Sequence, residues 1–273
     1  MSDESAAKFE LDLYADMYRC QSCADLTSPL GVGDFAAVGP RQTVPVSHFG
    51  NITRSPIWLI LNNPANDRQD VAVGTTPAMF GAASRAALGT EAIRAIKTRL
   101  DHYFDDAATT HEFFDRWVDL LSGIALNGEV LTFANGTICA VDLIKCPTVA
   151  NWMGYVMKPE GKQVWDRCLR GASGNRFLIR QIELHRPPVL VFAGTANCVK
   201  GPWRGKTDRH LKQLAKDLGS ILIADVWTNN VQRRISIGLG SQREIKKLEL
   251  VPDALGKERR YLQTVLDVWS SGR

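Results

Sequence analysis

The chain has 273 residues, enough to bury one large core or two modest ones, and its 45% hydrophobic and 23% charged content is that of a soluble globular protein. Its longest apolar runs, "IWLIL" and "PPVLVFAG", are of strand length and too short to cross a bilayer as helices, and "MSDESAAKFELDLY" lacks the apolar region of a signal peptide. Net charge is +4, but residues 201–273 carry 14 Lys/Arg against 8 Asp/Glu while residues 1–200 carry 19 against 21, so the basic excess lies in the last quarter: the footprint of an anionic partner, or a solvated basic surface.

Residues 5–19 read as a helix leading into "CQSC". "SPIWLILNNP" reads as a buried strand that stops at Pro64, with turn-forming Asn and Asp just after it. "AASRAALGTEAIRAIKTRLDHYF" and "THEFFDRWVDLLSGIA" space their apolar residues as helices do, the second capped by Thr110. "GEVLTFANGTICAVDLIKCP" holds two strand-like runs around an Asn135-Gly136 turn. A long helix is predicted over about 159–185, followed by the strand "PPVLVFAG". Then come a helix around "TDRHLKQLAKDLG", the strand "SILIADVW", a basic loop and a last helix from about 256 to 270.

Near-continuous apolar strands alternating with helices predict an α/β fold: three α/β/α layers around a mainly parallel central sheet. No linker, repeat or low-complexity tract divides the chain, so residues 1–273 are expected to form one domain. Such sheets bind ligands beyond the carboxyl ends of their strands. Those ends are Asn62-Asn63-Pro64, Asp142 to Cys146, Gly194-Thr195 and Trp227 to Asn230.

An intracellular setting is expected, where thiols stay reduced and six cysteines point to metal or chemistry rather than disulfides. Cys20 and Cys23 form a C-x-x-C pair, Cys146 ends a strand and Cys168 falls in a predicted helix. Together they offer four soft sulfurs, suited to tetrahedral zinc or to an iron–sulfur cluster. Cys139 and Cys198 read as buried apolar cysteines.

The ordered set "CQSC", "LNNPAND", "GTTPAMFG", "DLIKC", Cys168 and "PPVLVFAG" resembles the uracil-DNA glycosylase superfamily, especially its iron–sulfur branch, and spans most of the chain. The resemblance implies a 4Fe–4S cluster on Cys20, Cys23, Cys146 and Cys168, with zinc as the alternative occupant, and a structural role for it. It also implies hydrolysis of the N-glycosidic bond of a base flipped out of DNA. That chemistry needs a group to place water beneath the sugar, donors for the departing base and a ring to stack on it.

In this resemblance Asn63 takes the position of the water-orienting Asp or Asn, and Asp67 is an alternative water activator in the same loop. Backbone N–H groups around Asn62 and Ala65 are candidate donors to the base, and Phe80 matches the stacking aromatic, a core Phe being its rival reading. The chain departs from the family at two places. The His-Pro-Ser type motif is missing from "DVWTNNVQRRISIGLGSQR", where Asn229 or Asn230 could supply a hydrogen bond, Arg233 or Arg234 a charge, and Gln232 a wedge into the duplex. Asp142 stands where the family places an Asn that reads the pyrimidine edge. An ionised carboxylate only accepts hydrogen bonds, so it repels O4 of uracil and suits the N4 amino group of cytosine, unless it bonds its own backbone or Lys145.

The expected function is therefore a monofunctional DNA glycosylase that leaves an abasic site, acting on a modified pyrimidine. A 5-modified cytosine of phage DNA fits, as an antiviral defence, since excising plain cytosine would destroy the host genome. The alternatives are a base-excision repair glycosylase for uracil or a damaged base, and a module that binds modified DNA without cutting it. DNA is the expected partner, with no membrane and no protein partner inferred, in the cytoplasm and at the nucleoid when bound. Arg204, Lys206, Arg233, Arg234, Arg243, Lys246 and Lys247 are candidates for phosphate contact.

Overall fold

Ile57, Trp58, Leu59, Ile60 and Leu61 carry no charge, and a strand built from such a run is stable only with both faces covered. The protein is seen in a computed structural model, which describes residues 3–23, 44–61, 76–105, 114, 123–146, 163–164, 166–170, 175–187, 189–192, 221–222 and 263. There Ile57–Leu61 forms β1, and all five residues are buried. The other described strands are β2 (Ala125–Leu126), β3 (Glu129–Val130), β4 (Ile138–Asp142), β5 (Val189–Phe192) and β6 (Ile221–Leu222). The main described helices are α1 (Asp3–Tyr18), α2 (Thr90–Asp101) and α3 (Phe177–His185). The chain is α/β, and among the described residues no helix is long and apolar enough to cross a membrane.

Four of the described strands form one sheet in the order β4-β1-β5-β6. β1 runs parallel to β5, with Ile57 opposite Val189 and Ile60 opposite Phe192, and β5 runs parallel to β6. The chain order reverses direction across β1, the topology at which open α/β sheets hold ligands beyond their carboxyl ends. Two compact units divide the chain: residues 1–49, 61–109 and 141–186 in the first, and residues 50–60, 110–140 and 187–273 in the second.

In the second unit, β2 and β3 pair as an antiparallel hairpin. Asn127 and Gly128 join them with φ of 53° and 83°, the two successive left-handed residues that a two-residue hairpin loop demands. The turn expected at Asn135-Gly136 also forms, with Gly136 at φ 73°, but it leads into β4 instead of closing a hairpin. Ser55 donates to the Gly136 carbonyl at 2.7 Å, and the Gln263 side-chain amide bonds both the N–H and the carbonyl of Ala125. Phe114 packs edge-on against Phe133 at 5.5 Å.

In the first unit, α1 buries Leu13, Tyr14, Met17 and Tyr18, the spacing of one helix face. It packs on α2 and α3, with Lys97 pairing Glu10 at 3.3 Å and Arg180 pairing Asp16 at 2.7 Å. α2 is shorter than the helix expected from residue 82. Gly81 at φ 68° and Gly89 punctuate the run, and residues 85–87 form a separate 3-10 turn. The helix expected over 159–185 is likewise interrupted: a π-helical turn covers Asp166–Arg170, and α3 starts only after Arg176 at φ 42°. The sequence between them, Gly-Ala-Ser-Gly, is poor in helix formers.

A polar chain lies buried beside α1. Tyr18 OH is 2.7 Å from Ser47 Oγ, Ser47 Oγ is 2.8 Å from His48 Nδ1, and His48 Nε2 is 3.0 Å from Asp101, whose other oxygen accepts from Lys97. Burial holds His48 below its ordinary value of 6.5, so its ring is neutral. Burial opposes ionisation of Asp101, but the His48 hydrogen bond and the nearby charges outweigh it and hold the carboxyl at about 2. An ionised acceptor at Nε2 makes that nitrogen the donor, leaves Nδ1 to accept from Ser47, and leaves Ser47 to accept from Tyr18.

His185, beside Tyr14, is also depressed, to about 3, again chiefly by burial. The unfolded chain thus takes up protons at both histidines near pH 6.5, while the folded chain does not. For His185, stability should be constant above that pH and fall as the pH drops toward about 3, by up to about 1.4 kcal/mol per unit, and the lowered His48 adds a loss of the same sign. Asp101 adds stability that persists above its ordinary 3.8 and disappears toward about 2. Urea unfolding at pH 7.5 and pH 5 checks this; an unchanged midpoint would contradict it.

Candidate functional site

Cys20 lies two positions beyond the end of α1, its N–H bonding the Met17 carbonyl at 3.2 Å, and Cys23 lies three positions on. Cys146 closes the segment that leaves β4, and Cys168 sits at the centre of the π-helical turn. All four belong to the first unit, and none is in a disulfide. They share one electrostatic neighbourhood. Burial raises the Cys23 thiol well above its ordinary value, and the charges that Cys146, Cys168 and Cys20 would carry raise it further. Burial likewise pushes Cys146 up to about 11 and Cys168 up to about 12.

Among the described residues, hydrogen-bond donors reach three of these sulfurs. Asn175 Nδ2 donates to Cys20 Sγ at 3.1 Å and to Ser22 Oγ at 3.0 Å. Arg85, nearly fully buried, places one guanidinium nitrogen 4.0 Å from Cys146 Sγ and 3.4 Å from the Cys20 carbonyl. The Lys145 backbone N–H bonds Cys168, whose own Sγ lies 3.8 Å from the Leu143 carbonyl. Arg167, at the rim, bonds the Ser22 carbonyl at 2.7 Å and eases the Cys23 charge. Among the described residues, no three His, Cys, Asp or Glu side chains converge as ligands of a single ion.

The segment Asp142–Cys146 joins this cluster to the end of the sheet. Asp142, the last residue of β4, is buried, with 1% of its surface exposed. The Leu143 N–H donates to the Leu61 carbonyl at 2.9 Å, so the end of β4 lies beside the point where the chain leaves β1 for Asn62. Lys145 is buried as well, and its Nζ donates to the Asp142 carbonyl at 2.6 Å and the Ser47 carbonyl at 3.2 Å. The Val46 N–H returns a bond to the Lys145 carbonyl at 2.7 Å. Lys145 therefore holds the backbone of Asp142.

Phe80 ends a short 3-10 turn (Pro77–Phe80) and is half-buried, while its neighbour Met79 is 53% exposed. Cys139 lies inside β4 and is fully buried, as an apolar core residue would be. Asn62, Asn63, Ala65 and Asp67 lie outside the described residues, as do Asn230, Arg204, Lys206, Gln232, Arg233, Arg234, Arg243, Lys246 and Lys247. Arg85 and Asn175 went unnoticed in the sequence. Each fell within a predicted helix, and nothing local marks either as a neighbour of a cysteine.

Compared with protein-family models, curated proteins and solved structures, the chain matches none.

Proposed function

We propose that this chain is a monofunctional DNA glycosylase that hydrolyses the N-glycosidic bond of a flipped-out, 5-modified cytosine, acting against phage DNA from the cytoplasm. The observation that carries this is Asp142: a buried carboxylate at the carboxyl end of β4, followed by Leu143, whose N–H donates to the Leu61 carbonyl at the end of β1. The three-layer arrangement expected of the sequence fits the sheet order and the two fully buried strands.

The C1′–N1 bond breaks first, giving an oxocarbenium-like sugar and an anionic base. Asn63 or Asp67 orients a water whose oxygen bonds to C1′; its proton passes to Asp67 or solvent, and the base leaves after taking up a proton. Asp142 accepts from the N4 amino group of the cytosine ring, faces O4 of uracil with lone pairs alone, and thereby selects between them. Phe80, half-buried rather than locked in the core, is free to stack on a base. The basic segment from Arg204 to Lys247 neutralises phosphates.

Four soft sulfurs, with donors directed at three of them, fit an anionic thiolate centre. Four thiolates suit tetrahedral zinc or a 4Fe–4S cluster, and the resemblance to the iron–sulfur branch favours the cluster. When bound, the cluster supplies an anchor for the segments around it rather than electron transfer.

Duplexes containing uracil, cytosine, hydroxymethylcytosine or glucosylated hydroxymethylcytosine test the proposal. Abasic sites should form at the modified cytosines, with strand breaks only after alkali. Release of uracil alone would overturn the cytosine assignment, and binding without release would make the chain a reader rather than an enzyme.

A further inference from the structure

Among the described residues, two side chains from outside the cysteine segments are aimed at the sulfurs. Arg85, a buried residue, places Nη1 4.0 Å from Cys146 Sγ and 3.4 Å from the Cys20 carbonyl. Asn175 places Nδ2 3.1 Å from Cys20 Sγ and 3.0 Å from Ser22 Oγ. An N–H donor bonds an ionised sulfur more strongly than a neutral one, so both are placed to favour thiolates over thiols.

We propose that Arg85 and Asn175 are positioning residues of the thiolate centre. The Arg85 guanidinium supplies buried positive charge and a donor to Cys146, and the Asn175 amide supplies a donor to Cys20. The proposal rests on the iron–sulfur reading of the cysteines. Arg85 is suited to the task because its guanidinium stays charged when buried and spans two acceptors with one planar fork. Asn175 is suited because it lies outside the helix before α3, where its amide reaches Cys20 and Ser22 together. N–H donors of this kind stabilise the negative sulfur, and removing such outer partners weakens metal retention by about 10- to 100-fold.

The experiment uses the full chain purified without air, measuring iron, acid-labile sulfide, the visible absorbance, the rate of iron loss to a chelator and the reduction potential. Arg85→Met keeps the bulk of the side chain and removes its charge. It should lose iron about 10- to 100-fold faster than the parent and show a more negative potential, because reduction adds negative charge that the guanidinium no longer offsets. Arg85→Lys should recover most of the potential, which a merely space-filling role would not predict. Asn175→Ala should lose iron faster with a smaller change in potential, and it provides the test on a part-exposed side chain should Arg85→Met not fold. Parental loss rates and potentials in Arg85→Met and Asn175→Ala would overturn the proposal while leaving the cluster in place. A parent chain without iron and sulfide would instead overturn the iron–sulfur reading itself.

Discussion

Asp142→Asn should move base release away from modified cytosine and toward uracil. The amide donates to O4 and accepts from N3–H, which the carboxylate cannot do. Single-turnover release from a modified-cytosine duplex should fall about 10- to 100-fold, and release from a uracil duplex should rise, since one well-placed edge contact carries about 1–3 kcal/mol of discrimination. Asp142→Ala should lose activity on both bases. Lys145 bonds the Asp142 carbonyl, a contact that every variant retains. Equal loss on all four duplexes in Asp142→Asn, with the fold intact, would reduce the carboxylate to a structural role.

Cys146→Ala should have the largest effect on stability. It removes one ligand of the proposed cluster, the sulfur that lies 4.0 Å from the Arg85 guanidinium. Loss of a metal site belongs among the substitutions that cost on the order of 4–5 kcal/mol. For a chain of this size that lowers the melting temperature by about 10–15 °C. Cys139→Ala is the matched control, since Cys139 lies on β4 and is fully buried. It should cost about 1 kcal/mol, or about 2–4 °C, and leave iron content unchanged. Equal melting temperatures and equal iron in the two variants would remove Cys146 from any ligand set.

β1, β4 and β5 were legible because strands of such a sheet write themselves as short apolar runs, and "IWLIL", "ICAV" before Asp142, and "VLVF" are such runs. The grouping of Cys20 and Cys23 was legible from their spacing alone. The Asn127-Gly128 hairpin was legible in principle, but the second Asn-Gly pair eight positions later drew the assignment. Helix limits were less legible. Gly89 and the Gly-Ala-Ser-Gly run weaken helices by amounts too small to outweigh an apolar periodicity, so only the folded contacts decide where α2 and α3 begin. Arg85 and Asn175 were not legible at all. Arg85 lies 61 positions from Cys146 and Asn175 lies 155 from Cys20, and no local pattern encodes such a meeting.

Those separations also set an order in time. Tyr14 reaches His185 across 171 positions, and Asn175 reaches Cys20 across 155. At about 5–20 residues per second on the ribosome, roughly 8–34 s separate the synthesis of the two partners. Until α3 emerges, the face of α1 that carries Leu13, Tyr14, Met17 and Tyr18 lacks part of its cover, and the C-x-x-C thiols wait for Cys146 and Cys168. The first helix made is thus among the last to finish docking, and the nascent chain must keep an apolar face and two free thiols out of other associations for most of its own synthesis.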